Sequence, residues 1–501
     1  MNLAMILEMV GDGMAERVVI GDANRGLTGA DLRDRAIAGA HLLRRTGSKR
    51  LVYLGGNGEA FPVAMFAATL AGIPFLPLNY RLSAEQLDDI LERQEDPLVV
   101  TDAPARAPRQ RTIGISEFLQ QPLDSEVEVL GVDEVDPDAV AVLLMTSGTT
   151  AAPKSAVLRH RHLASYIFGS VEFASADEDA ATLVSVPPYH IAAVANALSN
   201  LFAGRRLVYL DQFKPGTWLD LVETQKISHA MVVPTMLVRI VAELKARGHE
   251  APSSLRSVSY GGAKIAAEVI GEALRLFPHT GFVNAYGLTE TASSIAVLGP
   301  EDHREAAASP DPAVRARLGS VGRALPSVDI EVHDDEGRPC PPGVVGDIVV
   351  RGEQVSGEYA EAGSVVRADG WFPTRDRGYL DAAGFLFVRG RADDTIIRGG
   401  ENIAPAEIED VLGRHEAVLE CAVAGVPDVE WGQRIAAFVV LRNGRTADAD
   451  ELREWTRARL RGSKTPDEVV FLAELPTTAT GKVVRRDLVD LVARGDRSAR
   501  A

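Results

Sequence analysis

Cysteine is almost absent: the 501 residues contain only Cys340 and Cys421. Two isolated thiols exclude a disulfide framework and any cysteine-based metal cluster. Lysine is scarce too, since only eight of the 53 basic side chains are lysine (Lys49, Lys154, Lys214, Lys226, Lys245, Lys264, Lys464 and Lys482). Positive charge is short overall, because 70 acidic groups bring the net charge to −17. A general nucleic-acid or anionic-membrane binder is thereby excluded, as both partners demand a basic footprint. A local anion site stays open. Long apolar runs are missing as well: the stretch from Ile191 to Phe202 is interrupted by Asn196 and Asn200 and falls short of a membrane span. Residues Met1 to Glu8 lack a basic leader and a long apolar core, so no secretory signal is read there and a cytoplasmic location is expected. What is present is ordinary for a globular protein, 46% hydrophobic and 25% charged. The length suggests about three folding units.

Short apolar runs alternate with helical periods up to about residue 290. Residues 51–58 and 73–78 read as buried strands, with an alanine-rich helix from Ala60 to Leu70 between them. That alternation predicts an α/β region with a largely parallel sheet. From about 320 to 390 the pattern becomes short alternating strands with Gly-rich turns, as in Val328–Val332, Gly346–Gly352 and Gly384–Val388. This predicts an antiparallel β module. A compact α+β segment follows Gly390-Arg391, with helices near 405–414 and 449–461 and a strand at Ala436–Val440. The Arg-rich last dozen residues are expected to fray.

The strongest local feature is Leu143-Leu144-Met145-Thr146-Ser147-Gly148-Thr149-Thr150-Ala151-Ala152-Pro153-Lys154. An apolar strand ends in hydroxyls around a glycine, with a lysine close behind. Such a loop can aim backbone N–H groups, hydroxyls and one ammonium at a polyanion. The spacing is not Walker A, and a Ser/Thr-rich turn without a ligand is the alternative. Four further segments bear on the choice. Arg256–Tyr260 leads into Gly261-Gly262-Ala263, and Gly281-Phe282-Val283-Asn284-Ala285 into Tyr286-Gly287-Leu288-Thr289-Glu290. The β module holds Trp371-Phe372-Pro373-Thr374-Arg375-Asp376. Gly390-Arg391-Ala392-Asp393-Asp394 precedes Gly399-Gly400-Glu401-Asn402, and Pro476 to Lys482 lies near the end. In order and spacing the chain resembles the adenylate-forming superfamily of acyl-CoA synthetases, non-ribosomal adenylation domains and beetle luciferases, over nearly its whole length.

The resemblance implies a large N-terminal α/β domain with a β-barrel-like subdomain (residues 1–390, the subdomain from about 320) and a small mobile C-terminal α+β domain (391–501). It implies an ATP-dependent acyl-CoA synthetase that forms acyl-AMP and pyrophosphate and then acylates the thiol of CoA, with Mg²⁺ as cofactor. By position in the motifs, Thr146, Ser147, Gly148, Thr149 and Thr150, with Lys154, hold the β- and γ-phosphates. Gly262, Ala263, Ala285 and Gly287 border the nucleotide, and Tyr286 stacks on the adenine. Thr289 contacts the α-phosphate and Glu290 holds Mg²⁺. Asp376 accepts from the ribose hydroxyls with Arg391 nearby, and Lys482 reaches the carboxylate and α-phosphate. Asp393 is the pivot of the C-terminal domain, and Gly399, Gly400 and Glu401 face the thiol channel after rotation. Residue by residue, a surface ion pair for Asp376, core packing for Tyr286 and a plain turn at Gly399-Gly400 remain alternatives.

Substrate clues are fewer. Val186-Pro187-Pro188-Tyr189-His190 matches the family's segment beside the acyl pocket, which places His190 at that pocket or in the core as a hydrogen-bonded histidine. Amino-acid-activating relatives carry an aspartate here that this chain lacks. With Gly261 and Asn284 bordering the pocket, an apolar aliphatic or aromatic acid is expected. Arg159-His160-Arg161-His162 reads as a solvated helix start rather than a metal site. The family's glycines at positions 151, 155 and 375 are here Ala151, Ser155 and Arg375, and a non-glycine residue with positive φ is strained by about 1 kcal/mol or more. Two alternatives accompany the leading reading: an acyl-AMP ligase that loads an acyl carrier protein, and a catalytically weakened paralogue that binds nucleotide or acyl ligand. A homodimer is also admitted.

Overall fold

A computed structural model describes residues 1–146, 154–263, 265–391, 394–398, 401–428, 431–460, 462–478 and 482–493. Local sequence fixes many of its helix ends. Helix Gly29–Arg45 begins at a capping box in which the Thr28 hydroxyl accepts from the Asp31 N–H and the Asp31 carboxylate accepts from the Thr28 N–H. Arg44 and Arg45 close its last turn against the helix dipole. Helix Ala60–Ala71 is apolar all round, so it cannot rest at a surface. Every residue of it is buried, and it stops at Gly72 with φ 71°.

Two sheets flank that core. The first runs, in spatial order, Arg323–Ala324, Ser293–Leu298, Gly281–Leu288, Ser257–Gly261, His229–Val232, Ala181–Val184, Arg206–Tyr209, Val18–Ile20 and Leu27–Thr28. From Gly281–Leu288 to Val18–Ile20 neighbouring strands are parallel, and the edges are antiparallel. The second runs Gly363–Ser364, Glu358–Tyr359, Lys154–Arg159, Val140–Thr146, Phe75–Pro77, Arg50–Tyr53, Pro97–Val100 and Arg111–Ile113. Phe61, Phe66, Phe75, Leu198, Trp218 and Phe282 belong to one continuous buried cluster. This is the mixed α/β fold expected from the alternation of strand and helix periods.

The antiparallel module is a four-stranded sheet, in order Val328–His333, Gly346–Gly352, Phe372–Leu380 and Leu386–Arg391. Its connecting segment leaves the module: Glu358–Tyr359 pairs instead with Lys154–Arg159 of the second α/β sheet. The smaller C-terminal part contains a hairpin of Ile396–Arg398 with Glu401–Ile403, and a three-stranded sheet of Val418–Asp428, Gly432–Leu441 and Glu468–Phe471. Helices Pro405–Leu412, Ala449–Arg457 and Arg485–Ala493 surround them. The terminal residues expected to fray lie, beyond Ala493, outside the described residues.

The Arg159–His162 segment corrects one expectation. A helix does start there, at His160, but its histidines are not solvated: His160 and His162 are 3% and 2% exposed. Only the arginines face outward, Arg159 to Glu358 and Arg161 to Asp138. Glu358 belongs to the returning segment of the β module, whose approach no local pattern announces.

Candidate active site

Parallel strands deliver their carboxyl ends to one edge of a sheet, where α/β proteins commonly bind ligands. Here the ends of Ala181–Val184, His229–Val232, Ser257–Gly261 and Gly281–Leu288 come together in register, with Gly261 opposite Ala285. Gly262 follows with φ 85°, a turn that disfavours other residues. Within Gly281–Leu288 the strand bulges between Tyr286 and Gly287. A Cβ on Gly287 would lie 1.9 Å from the Ser293 carbonyl oxygen, so only glycine permits this approach. Ala263 and Ala285 are half-buried beside these turns. The Asn284 amide donates to the Ser320 carbonyl at 3.1 Å, pinning that strand end.

Tyr286 and Asp376, 90 residues apart, meet here: the phenol donates to Asp376 Oδ2 at 2.6 Å. The Tyr286 ring packs against two buried clusters, one that holds Ile295, Val350 and Phe372 and one that holds Ala296, Ile348 and Leu386. Arg391, the cross-strand neighbour of Asp376, places Nε 3.0 Å from Oδ1. Burial raises the Asp376 pKa, while Arg391, Tyr286 and Lys482 work against that rise. Burial and the Asp376 charge push the Tyr286 phenol well above its ordinary value. Asp376 sits on a wide bulge: Asp347 pairs with Arg377 and Val349 with Pro373, so Thr374, Arg375 and Asp376 all stand opposite Ile348. Bulges of this kind re-aim side chains beside functional sites. Arg375 takes φ 62°, the left-handed region in which the family's glycine is at ease. Ser155, by contrast, is not left-handed, and its N–H and hydroxyl both donate to Glu361, at 2.9 and 2.8 Å.

Glu290 lies in a tight 3₁₀ turn, Thr289–Thr291, that opens from the same strand. The turn is closed by the Thr291 hydroxyl, which accepts from the Leu288 N–H at 3.0 Å, and by left-handed Ala292 at φ 52°. Tyr359 donates its hydroxyl to Glu290 Oε1 at 2.5 Å. The Tyr359 ring in turn lies under Lys154, whose Nζ is 5.5 Å from the ring centroid. Lys154 is paired in register with Thr146, and the Thr146 hydroxyl donates to the Lys154 carbonyl at 3.2 Å. Ser147, Gly148, Thr149 and Thr150 lie outside the described residues, as do Asp393, Gly399 and Gly400. Glu401 is described as the first residue of its short strand, opposite Arg398. Tyr359 was missed from sequence because nothing in Gly357-Glu358-Tyr359 signals a partner 69 residues away.

Lys482 enters from the C-terminal part. Thr478 and Lys482 are tied across their turn: the Lys482 N–H donates to the Thr478 hydroxyl at 3.1 Å and the Thr478 N–H to the Lys482 carbonyl at 2.8 Å. The protein crowding around its ammonium, and then Arg391, lower the Lys482 pKa, while Asp394 and Asp376 oppose that. The lysine thus shares one electrostatic neighbourhood with Asp376 and Arg391. His190 caps helix Ile191–Ala203 in extended geometry. Burial lowers its pKa to about 4, so it is a neutral imidazole at neutral pH, and its Nε2 is buried without a hydrogen-bond partner. The Tyr189 ring lies tilted beside it, with centroids 4.6 Å apart, and meets Tyr80 edge-on at 5.7 Å.

The chain matches the AMP-binding enzyme family over residues 8–360 and the AMP-binding enzyme C-terminal domain over residues 407–482. It belongs to the adenylate-forming AMP-binding enzymes. It is 35% identical to a feruloyl-CoA synthase of Amycolatopsis sp over 475 residues, covering 92% of this chain and 93% of that protein. A fatty acid–[acyl-carrier-protein] ligase of Streptomyces coeruleorubidus is 32% identical over 92% of its length and 93% of this chain. Among solved structures, the o-succinylbenzoate CoA synthetase of Bacillus subtilis in complex with its acyl-adenylate intermediate superposes with a TM-score of 0.83 at 29% identity, covering 96% of this chain and 97% of that one. These AMP-binding enzymes share the large N-terminal and smaller C-terminal parts described above.

Proposed function

We propose that this AMP-binding enzyme is an ATP-dependent acyl-CoA synthetase for an apolar, most simply aromatic, carboxylic acid. What supports the reading is that Tyr286, Asp376, Arg391 and Lys482, from four separate motifs, lie in one neighbourhood, with Glu290 of the Tyr286 motif joined to Tyr359 beside them. In the first step a carboxylate oxygen attacks the α-phosphorus of ATP, and the bond to the bridging oxygen breaks, releasing pyrophosphate. In the second, the thiol sulfur of CoA attacks the acyl carbonyl carbon. The bond to AMP then breaks, and the thiol proton passes to solvent.

Both partners in the first step are anions, so cations and aimed dipoles must stand where charge gathers. Lys482 bridges the carboxylate and the α-phosphate, with Thr289 on the same phosphate. Thr146 to Thr150 and Lys154 take the charge of the leaving pyrophosphate. Asp376 has two oxygens suited to a pair of adjacent ribose hydroxyls, Arg391 fixes its orientation, and Tyr286 lies beside the adenine. Gly262, Ala263, Ala285 and Gly287 let the nucleotide approach backbone.

Among the described residues no cluster of three or more His, Cys, Asp or Glu forms a protein-only metal cage. Glu290, with Oε1 held by Tyr359, suits Mg²⁺, which commonly takes one or two carboxylates together with substrate phosphates and water. Bound there, Mg²⁺ would neutralise phosphate charge. The acid lies beside His190, Gly261 and Asn284. A neutral imidazole and the Tyr80–Tyr189 pair suit an aromatic acid better than a charged tail, in keeping with the feruloyl group named for a relative. The division at residues 390 and 391 and a pivot at Asp393 let Lys482 leave and Gly399-Gly400-Glu401 approach the adenylate for thiol transfer.

The test is pyrophosphate release across a panel of carboxylic acids, each with CoA, with a holo carrier protein, or with neither. Release with aromatic acids and acyl-CoA formation are expected. Silence in every arm refutes the activity. Acyl transfer to the carrier alone would establish the second reading, which the similarity to the carrier-protein ligase favours.

A further inference from the structure

Strand Lys154–Arg159 begins at Lys154, and its outer neighbour, Glu358–Tyr359, is only two residues long. The two pair at one position, Tyr359 opposite Ala156. So short a ladder leaves most of the join to side chains. At the far end the Glu358 carboxylate accepts from Arg159 Nε at 3.0 Å and from Nη2 at 2.8 Å. At the near end Glu361 uses both oxygens on one residue. Its Oε2 accepts from the Ser155 N–H at 2.9 Å and its Oε1 from the Ser155 hydroxyl at 2.8 Å. The Ser155 carbonyl in turn accepts from the Ala360 N–H at 2.9 Å. Met145 Sδ also lies 3.4 Å from that hydroxyl, but a thioether is a weak acceptor and the single proton goes to the carboxylate. Residues 360 and 361 thus engage every polar group of Ser155.

Between those two carboxylates the same segment serves the cleft. Tyr359 holds Glu290 Oε1 at 2.5 Å, and its ring lies under the Lys154 ammonium. The Ser356 and Gly357 N–H groups donate to the Glu290 carbonyl at 2.9 and 3.1 Å, and the Ser356 hydroxyl donates to the Val157 carbonyl. Lys154 directly precedes Ser155, so a grip on the Ser155 backbone and side chain also fixes the root from which the ammonium reaches. Glycine at 155, the residue usual in the family, could offer Glu361 an N–H alone. Serine makes the grip two-pronged. A lysine stem has much rotamer freedom, and a fixed root above a supporting ring reduces what a ligand must order on binding.

We propose that Glu361 is a positioning residue of the nucleotide site: by gripping Ser155 it sets Lys154 over Tyr359 for the β- and γ-phosphates of ATP. This rests on the ATP-dependent reading above. Glu361 acts through Ser155, and its own charge would oppose those phosphates, so what it contributes is geometry. Calorimetric titration with ATP and with AMP, each with Mg²⁺, is run on the parent chain, Glu361→Ala, Glu361→Gln, Ser155→Ala, Lys154→Met and the double variant Lys154→Met with Glu361→Ala. Pyrophosphate release is followed beside it. AMP lacks the two phosphates that Lys154 is to meet.

Glu361 is exposed, so the effect is modest. In Glu361→Ala, ATP affinity falls about fivefold while AMP affinity changes less than about twofold. The KM for ATP rises in step, with kcat held within about twofold. Glu361→Gln recovers most of the loss, because its amide oxygen can accept from the Ser155 N–H and its amide nitrogen can donate to the hydroxyl. Ser155→Ala keeps the N–H bond and falls between. Once Lys154 is methionine, removing Glu361 weakens ATP by less than about twofold more, since the group it positions is gone. An equal loss for AMP, a glutamine variant no better than alanine, or the same loss with and without Lys154 would each overturn the assignment. A parent chain that neither binds ATP nor releases pyrophosphate defeats the activity and this inference together. An active parent whose ATP affinity is unchanged or tighter in Glu361→Ala defeats the inference alone.

Discussion

Tyr359 shows how much one hydroxyl can decide. Its 2.5 Å bond holds one Glu290 oxygen, while the ring supports Lys154. Tyr359→Phe keeps the ring, and with it the packing, but releases Glu290. On the proposed Mg²⁺ role of Glu290, a group that orients this carboxylate contributes about 10- to 100-fold in metal affinity or activity, so kcat for pyrophosphate release should fall by about tenfold. The Mg²⁺ concentration needed for half-maximal rate should rise, with Tm within about a degree. A variant whose Mg²⁺ dependence matches the parent would show that Tyr359 only packs. Lys482 yields a second test through its pKa, which crowding lowers. On the proposed role of Lys482 the adenylation step requires the ammonium, so its rate is full below the lowered pKa and is lost as pH rises through it. The alkaline limb of pyrophosphate release should therefore lie below the ordinary lysine value of about 10.4. Lys482→Arg, if it retains activity, should carry no such limb, because a guanidinium stays charged.

Single elements depend on neighbours that local sequence does not reveal. Helix His160–Ser170 starts with two buried histidines, and the Arg159 N–H donates to His162 Nδ1 at 3.2 Å, a bond that needs this nitrogen unprotonated. Burial lowers the His162 pKa to about 4. Between the unfolded value near 6.5 and about 4, the unfolded chain binds the proton that the folded chain refuses, so stability falls as pH drops through that window and is flat above it. His162→Asn places an amide oxygen where Nδ1 accepts and removes the titration. The loss of Tm from pH 7 to pH 5 should then be smaller than in the parent by roughly 2–4 °C. An identical loss in both would mean that His162 does not titrate on unfolding. The same helix marks the limit of local reading. The fully apolar helix Ala60–Ala71 and strand Gly346–Gly352 were legible because period and composition alone dictate them. The place of Tyr359 depends on Glu358–Tyr359 crossing between sheets, with Glu358 bonded to Arg159 across 199 residues of chain, and two-residue strands carry no periodicity.

At the scale of the whole molecule, ordered motifs told more than any element did. Glycine, hydroxyl and acidic positions in Tyr286–Glu290, Thr374–Asp376 and Gly390–Lys482 anticipated which distant segments share a cleft, because the chemistry of one nucleotide constrains them jointly. The C-terminal body is organised around Arg485, which none of those motifs includes. Its guanidinium donates to Glu409 at 2.6 Å, to Asp394 at 3.1 Å and to the Val423 carbonyl at 3.0 Å. Helix Arg485–Ala493, helix Pro405–Leu412 and strand Val418–Asp428 are thereby held together, with Lys482 three residues before the arginine. In the proposed rotation a body so tied would carry Lys482 with it as a unit. On the proposed role, adenylation needs Lys482 beside the two anions, whereas attack of a thiol on a preformed acyl-adenylate needs no cation between two anions. Lys482→Ala should therefore abolish pyrophosphate release, by about a thousandfold or more, yet leave thiolysis of supplied acyl-adenylate within about threefold. The two half-reactions are separated by assaying pyrophosphate from acid and ATP in one vessel and acyl-CoA from synthetic adenylate in another. Equal loss in both would place the lysine at a single fixed centre and defeat the turning of the domain. Selective loss would make the scarcest kind of charge in this chain the one that divides its two steps.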